Sequence, residues 1–295
     1  MSQLQPSQQL HILIPTYGNS SYFKETLLSI KSTFGARIQE GLVFVTVVDD
    51  SRETEFKSIL EIVGDPGFEY IRNEERLGLE GNFNHCLELT RAQYTMFVGC
   101  DDYFLPGFYE QFCRVVQKPA QIYALGVEVV NEFSKQKKGL IDVSKRFLTP
   151  GNSGCEEKVH SGDAFLARLL LGNFLYFPSL IWETKTLKNY KFNSNAGVVV
   201  DLELIARMIL DGHKILISNQ PQVFAYRRHL GSESSIQKST NQRFLSEKSL
   251  SHLLAGNAKE LGWWKSYLFG RLLITARIHY LISRIQSRFH DKFHP

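Results

Sequence analysis

The chain has 295 residues, 43% hydrophobic and 22% charged, which is enough to bury the core of one large domain or two small ones. This composition excludes an intrinsically disordered protein. The formal net charge of +4 is too small and too scattered to indicate a nucleic-acid-binding protein.

The cysteines indicate a reducing compartment, because none forms a C-x-x-C pair and no Cys/His cluster has the spacing of a zinc site. They are Cys86, Cys100, Cys113 and Cys155. The N-terminus lacks the charged start and apolar run of a signal peptide. No stretch of about 20 apolar residues predicts a membrane span. We therefore predict a cytoplasmic protein.

The first part of the chain alternates predicted strands and helices. The strands are residues 11–15, 42–48, 67–72 and 94–98; the helices are residues 20–34, a stretch after Ser51 that ends near Val63, and residues 81–91. This order predicts an α/β protein with a mostly parallel, Rossmann-like sheet and helices on both faces. In such sheets ligands bind beyond the carboxyl ends of the strands.

The rest of the chain is less regular. The predicted elements are strands at 121–131, 176–182, 214–217 and 222–227, a polar loop or hairpin at 133–160, helices at 163–171 and 200–210, and a helical region from about 236 to the end. The helix at 200–210 has a clear stop signal in Asp211-Gly212.

Two pairs of acidic residues end predicted strands. Asp49 and Asp50 could bind a nucleobase N–H and a ribose hydroxyl, or could simply cap a turn. Asp101 and Asp102 offer hard oxygen ligands for Mg²⁺ or Mn²⁺, or could cap a turn before a helix at Leu105. Two acidic strand ends in one sheet favour a binding site over coincidence.

Two later segments carry charged residues with open alternatives. Asp201 and Glu203 begin a predicted helix, where the helix dipole alone favours acids. His229 could ligate a metal and the neighbouring arginines could contact phosphate, although a histidine in a polar loop often has no such role.

Taken together, the motifs resemble the family 2 glycosyltransferases, which have the GT-A fold and are typified by bacterial enzymes of polysaccharide assembly. Each motif alone is weak, but six occur in order between His11 and about Ser235. They are Ile14-Pro15-Thr16-Tyr17; Val47-Val48-Asp49-Asp50-Ser51; Arg72-Asn73 with Leu77-Gly78 and Gly81-Asn82-Phe83-Asn84; Phe97-Val98-Gly99-Cys100-Asp101-Asp102 with Pro106-Gly107; Val200-Asp201-Leu202-Glu203 with Arg207 and Gly212; and Tyr226-Arg227-Arg228-His229 with Ser232 and Ser234.

The resemblance implies an inverting transfer of a sugar from a nucleoside-diphosphate sugar to a hydroxyl of a saccharide or lipid-linked saccharide, in cell-surface polysaccharide or glycolipid assembly. It implies that Asp201 is the catalytic base and that Asp101 and His229 hold Mg²⁺ or Mn²⁺. The implied nucleotide-sugar contacts are Pro15, Thr16, Tyr17, Asp49, Asn73, Gly78, Asn82, Asp101 and Asp102.

Two departures from the family pattern leave alternatives open. Gly99 replaces the first Asp of D-x-D, and Val200 replaces the Glu of E-D. A catalytically inactive nucleotide-sugar-binding protein is therefore one alternative. A sugar-phosphate nucleotidyltransferase is a weaker one, because residues 15–22 lack the basic, Gly-rich loop that binds a triphosphate.

We predict three regions: residues 1–102 as the nucleotide-sugar-binding half of a GT-A domain, 103–235 as its acceptor-binding half, and 236–295 as a C-terminal helical extension. The extension carries Arg277, Arg284, Arg288 and Lys292 on one helical face and an Ile/Leu/Phe row on the other, after Trp263 and Trp264. This pattern is typical of a helix on an anionic membrane surface. It predicts peripheral contact with the inner face of the cell membrane; the alternative is a helix packed on the catalytic domain.

Overall fold

The structure is a computed structural model that describes residues 8–18, 21–52, 55–65, 67–136, 144–145, 147–150, 157–193, 199–229 and 241–273. The strands are β1 (Leu10–Thr16), β2 (Val43–Asp49), β3 (Phe68–Arg72), β4 (Tyr94–Phe97), β5 (Tyr103–Phe104), β6 (Ile122–Val130), β7 (Lys158–His160), β8 (Leu180–Glu183) and β9 (Ile215–Arg227). The α-helices are α1 (Phe23–Gln39), α2 (Glu55–Val63), α3 (Gly78–Glu88), α4 (Phe108–Val115), α5 (Gly162–Leu171), α6 (Thr184–Leu187), α7 (Val200–Leu210), α8 (Asn241–Glu260) and α9 (Trp264–Leu272).

The strands share one sheet in the order β3-β2-β1-β4-β8-β6-β9-β5, and β7 also pairs with β9. Strands β1 to β4 are parallel to one another, as is the pair β6 and β9. Strand β8 is antiparallel to both of its neighbours, and β5 and β7 are antiparallel to β9. The predicted α/β sheet is thus confirmed, with a parallel first part and mixed strand directions beyond it.

Two apolar cores lie on opposite faces of this sheet. Successive residues of a strand point to opposite faces, so Ile12 and Ile14 join the core that packs α1, α2 and α4. Leu13 faces the other core, which includes side chains of α3, α5, α7 and α8. Burial on both faces explains why β1 and β2 are continuous apolar runs rather than alternating ones.

Strand β9 differs from the sequence prediction of two separate strands. Pro221 lacks a backbone N–H and so predicts a break, yet β6 pairs with β9 on both sides of it, with a register shift at Gly126. A Cβ at Gly126 would lie 2.4 Å from the Pro221 carbonyl oxygen. The absence of a side chain there lets the two strands stay adjacent. The predicted helix start at Leu105 is also wrong, because β5 precedes α4 at Phe108.

The described part of the C-terminal extension packs on the domain. Leu250 and Leu254 of α8 are buried in the core that α7 shares. At the start of α9, the backbone N–H groups of Lys265 and Ser266 donate to the Asp163 carboxylate at 3.1 and 2.7 Å. Among the described residues, no helix has the length and hydropathy needed to cross a membrane. The basic face at 277–292 lies outside the described residues.

Candidate active site

Three of the motifs meet at the carboxyl ends of β1, β2 and β3. Thr16 is in register with Asp49, and Asp49 is in register with Arg72 on the next strand. The Asp49 carboxylate is buried. It accepts hydrogen bonds from the Ser51 N–H at 2.9 Å and from the Tyr70 hydroxyl at 2.7 Å. Burial and this hydrogen bond raise the pKa of Tyr70, so it remains a donor that fixes the orientation of Asp49.

Asp50 holds the loop between β3 and α3. Its carboxylate accepts from the backbone N–H groups of Leu77 and Gly78 and from the Asn73 amide, each at 2.8 Å. Asn73 also donates to Asn82 at 3.0 Å, and Asn82 donates to the Val48 carbonyl at 3.2 Å. The predicted binding residues Asn73, Gly78 and Asn82 therefore form one network that shapes the wall of the site.

An open cavity of about 570 Å³ lies beside this network. It is lined by Asp50, Ser51, Arg52, Arg72, Asn73, Glu74, Glu75 and Arg76. The Arg76 guanidinium lies over the ring of Tyr17, 4.3 Å from its centroid. Sequence reasoning missed Arg52 and Arg76, although Arg52 directly follows the acidic motif. The cavity lining thus combines three arginines with three acids, Asp50, Glu74 and Glu75.

The fourth and sixth motifs meet at a second point of the sheet edge. His229 Nε2 lies 2.9 Å from Asp101 Oδ2, and both side chains are partly exposed. Asp102 is instead fully buried, and its carboxylate accepts a hydrogen bond from the Arg227 backbone N–H at 2.9 Å. Burial raises the pKa of Asp102. Asp102 therefore braces the end of β9, while Asp101 faces the site.

Asp201 lies in the first turn of α7, and its carboxylate accepts a hydrogen bond from the Asn173 amide at 3.2 Å. Two residues on, Glu203 is buried and pairs with Arg207 at 2.9 Å. Glu203 and Arg207 thus stabilise the helix, whereas Asp201 is partly exposed. Among the described residues, no hydrogen bond joins Asp201 to Asp101 or His229.

Comparison with known proteins decides the family. Residues 11–169, more than half of the chain, match the family described as glycosyl transferase family 2. The chain belongs to glycosyltransferase family 2. A Mycobacterium tuberculosis protein, described as uncharacterized protein MT1568, is similar to this family 2 chain. The two are 28% identical over 229 residues, or 75% of this chain and 67% of that protein.

Solved structures of Staphylococcus aureus TarS 1–349 share the fold of this family 2 glycosyltransferase. With UDP-GlcNAc bound, TarS has a TM-score of 0.63 and 18% identity; another TarS 1–349 crystal structure has 0.61 and 16%. The chain spans 66% and 65% of these two TarS chains, and each match covers 84% of this chain. The family and the GT-A fold inferred from the motifs are confirmed.

Two carboxylates lie close to Gly99, the residue that departs from the family's D-x-D. A Cβ at Gly99 would lie 2.6 Å from Asp101 Oδ1 and 2.9 Å from Asp102 Oδ2. The two carboxylates fold back over the backbone of this residue, into the space that a side chain would fill.

The donor set fits a divalent cation that also binds a diphosphate. Among the described residues, no group of three or more His, Cys, Asp or Glu side chains could hold a metal by itself. Mg²⁺ and related ions commonly take only one or two protein ligands and complete their shell with phosphates and water. Asp101 and His229 form such a pair.

Proposed function

We propose that this family 2 enzyme transfers a sugar, with inversion, from a nucleoside-diphosphate sugar to a hydroxyl of a saccharide or lipid-linked acceptor. The observation that carries the proposal is the contact between Asp101 and His229 at 2.9 Å, at the same sheet edge as Asp49 and the arginine-lined cavity. The site thereby offers one end for the nucleobase, at Asp49, and another end for the diphosphate, at Asp101 and His229.

The donor end is built for a nucleotide. The cavity beside Asp50 offers hydrogen-bonding groups of both charges, and Tyr17, which Arg76 covers, offers an aromatic ring for a nucleobase. Asp49, oriented by Tyr70, can accept a further hydrogen bond from a nucleobase N–H because a carboxylate has about four acceptor positions. TarS was solved with UDP-GlcNAc and with UDP, so UDP-sugars are the first donors to test.

The reaction chemistry needs a base and a stabilised leaving group. Asp201, held by Asn173, accepts the proton of the acceptor hydroxyl as that oxygen attacks the anomeric carbon. Asp101 and His229 would hold Mg²⁺ or Mn²⁺, which when bound would supply positive charge beside the diphosphate leaving group. The imidazole ligand favours Mn²⁺, because Mg²⁺ prefers oxygen ligands.

A thermal-shift screen of UDP-, GDP-, TDP- and CDP-sugars with and without Mn²⁺ tests the donor site. We expect one nucleotide class to raise the melting temperature only when Mn²⁺ is present. Release of the nucleoside diphosphate with an acceptor then tests transfer, and the anomeric configuration of the product tests inversion. Binding with no turnover on any acceptor would favour the inactive nucleotide-sugar-binding protein instead.

We also propose that α9 contacts the inner, anionic face of the cell membrane. Trp264, Leu268 and Leu272 recur every four residues, so they share one helix face. Their exposed fractions are 65%, 53% and 39%. The sequence that follows adds Arg277, Arg284, Arg288 and Lys292. An exposed apolar face with flanking basic residues suits a surface that presents lipid-linked acceptors.

A further inference from the structure

Arg227 carries a charge in a place where charges are rarely found. Its side chain is 1% exposed, and arginine is almost never fully buried unless it is paired. Its Nη2 pairs with Glu25 of α1 at 2.6 Å, across 202 positions of the sequence. Its Nε and Nη1 donate to the Asp101 carbonyl at 2.9 Å and to the Ser134 hydroxyl at 3.0 Å, respectively. The buried charge is therefore paired with one carboxylate and hydrogen-bonded to neutral oxygens on its other edges.

These contacts reach both members of the Asp101–His229 pair. On one side, Arg227 holds Asp101 through its backbone carbonyl. On the other side, the guanidinium lies 4.4 Å from the ring centroid of Tyr22, and that ring packs on the His229 ring at 4.9 Å. Tyr22 thus contacts both Arg227 and His229. Arg227 therefore contacts the backbone of Asp101 and also contacts Tyr22, the ring that packs on His229.

A lysine could not make the same set of contacts. The guanidinium presents five N–H donors in a rigid plane, and here they are used in three directions at once, toward Glu25, Asp101 and Ser134. An ammonium on a flexible stem would satisfy one or two of them. It would also lose the flat face that packs on Tyr22.

We propose that Arg227 is a positioning residue for the cation site: with Glu25 and Tyr22 it fixes the relative placement of Asp101 and His229. This inference rests on the proposed cation site. The competing account is that Arg227 only braces β9 against α1 and the turn at 131–134. That account predicts lower stability in Arg227 variants with unchanged cation affinity in the folded protein.

The test is the dissociation constant of Mn²⁺ in the presence of saturating UDP, measured from the electron paramagnetic resonance signal of free Mn²⁺. The variants are Arg227→Lys, Glu25→Gln and Tyr22→Leu. We expect each to weaken Mn²⁺ binding, Arg227→Lys by about tenfold or more, as outer-shell changes at metal sites do. If Arg227→Lys does not fold, Tyr22→Leu carries the test, because it leaves the Arg227–Glu25 pair intact, whereas Glu25→Gln leaves the buried guanidinium without its carboxylate partner.

Two controls separate the explanations. Glu157→Gln breaks a buried carboxylate's pairs with Arg114 and Lys118, at 2.9 and 2.6 Å, away from the site; it should lower the melting temperature and leave Mn²⁺ affinity unchanged. Asp101→Ala should abolish Mn²⁺ binding. If Asp101→Ala abolishes binding while the three test variants bind Mn²⁺ as the wild type does, the positioning role is wrong and the cation site stands. If the wild-type protein binds no Mn²⁺ with UDP, nor with GDP, TDP or CDP, both proposals fall.

Discussion

Gly99 is the residue at which this chain departs from the family's D-x-D motif. From the sequence alone, the missing acid leaves open an inactive protein. In the structure, carboxylate oxygens of Asp101 and Asp102 lie 2.6 and 2.9 Å from the position that a Cβ at Gly99 would take. A side chain at this position would therefore require these carboxylates to move.

Restoring the family's acid should therefore harm the site. We expect Gly99→Asp, and also Gly99→Ala, to displace Asp101 and to reduce Mn²⁺ affinity by about tenfold or more. Gly35→Ala in α1 is the matched control, because nothing lies within 4 Å of its added Cβ. Mn²⁺ titration of the three variants checks the prediction. A gain of affinity in Gly99→Asp would show that the site rearranges to accept a third acid.

The catalytic base is a second prediction at the residue scale. Asp201→Asn keeps the size of the side chain and removes its basicity, so turnover should fall about 100-fold or more while donor affinity stays near that of the wild type. Glu203→Gln, in the same helix turn, should lower stability because it weakens the pair with Arg207, yet leave most turnover. Turnover above about a tenth of wild type in Asp201→Asn would remove this residue from the mechanism.

At the scale of elements, local patterns predicted helices better than strand connections. Helix α7 was predicted at its observed bounds, because its apolar periodicity is followed by Asp211-Gly212. Strand β9 was predicted as two pieces, because Pro221 hides a continuity that depends on Gly126 in another strand. The extension was predicted to be helical, but how much of it packs on the domain depends on its contacts with α5 and α7.

Helix α9 carries a prediction that separates membrane contact from packing. One face of α9 is buried against the domain, so deleting the helix would change both the stability and any membrane binding. The double variant Trp264→Glu/Leu268→Glu changes only exposed side chains. It should keep the wild-type melting temperature and lose about tenfold or more of its binding to anionic vesicles at low salt, since both apolar insertion and charge attraction are reduced.

Ile62→Glu is the control for adding an acid to an exposed apolar site, because Ile62 is 69% exposed on α2, outside the extension. Co-sedimentation with anionic and neutral vesicles at low and high salt measures the effect. The membrane proposal would be contradicted if the wild-type protein did not bind anionic vesicles at low salt. It would also be contradicted if the double variant bound them as well as the wild type does.

At the scale of the whole molecule, the sheet joins parts of the site that the sequence keeps far apart. The motifs predicted that Thr16, Asp49 and Asp101 lie along one edge, because strand ends of a parallel sheet meet there. No local pattern predicts that Arg227 reaches Glu25 or that Tyr22 packs on His229. Those contacts join residues that are far apart in the sequence and that only the folded chain brings together. The boundaries at 102 and 235 stay predictions.

A buried histidine in β1 is expected to make the fold sensitive to acid. His11 is fully buried in β1; its Nε2 lies 2.9 Å from the Thr46 hydroxyl, and its Nδ1 accepts from the Arg91 N–H at 3.3 Å. Burial, with the charges of Arg91 and Lys188, lowers the pKa of His11 to about 3. The folded protein therefore keeps this imidazole neutral, whereas the unfolded chain takes up a proton below its ordinary pKa of about 6.5.

The contribution of His11 to stability is thus complete above about pH 6.5 and is lost as the pH falls toward 3. The loss from this one group reaches about 2 kcal/mol at pH 5, since each pH unit changes the free energy of unfolding by about 1.4 kcal/mol per proton. Urea unfolding of wild type and His11→Gln between pH 7 and pH 4 measures this loss of stability.

We expect the His11→Gln variant to be less stable than the wild type at pH 7 but to lose stability less steeply as the pH falls. His213→Gln, at a partly exposed histidine, controls for the loss of a titratable ring. Parallel curves for wild type and His11→Gln would mean that His11 is not the group that makes the sheet acid-sensitive.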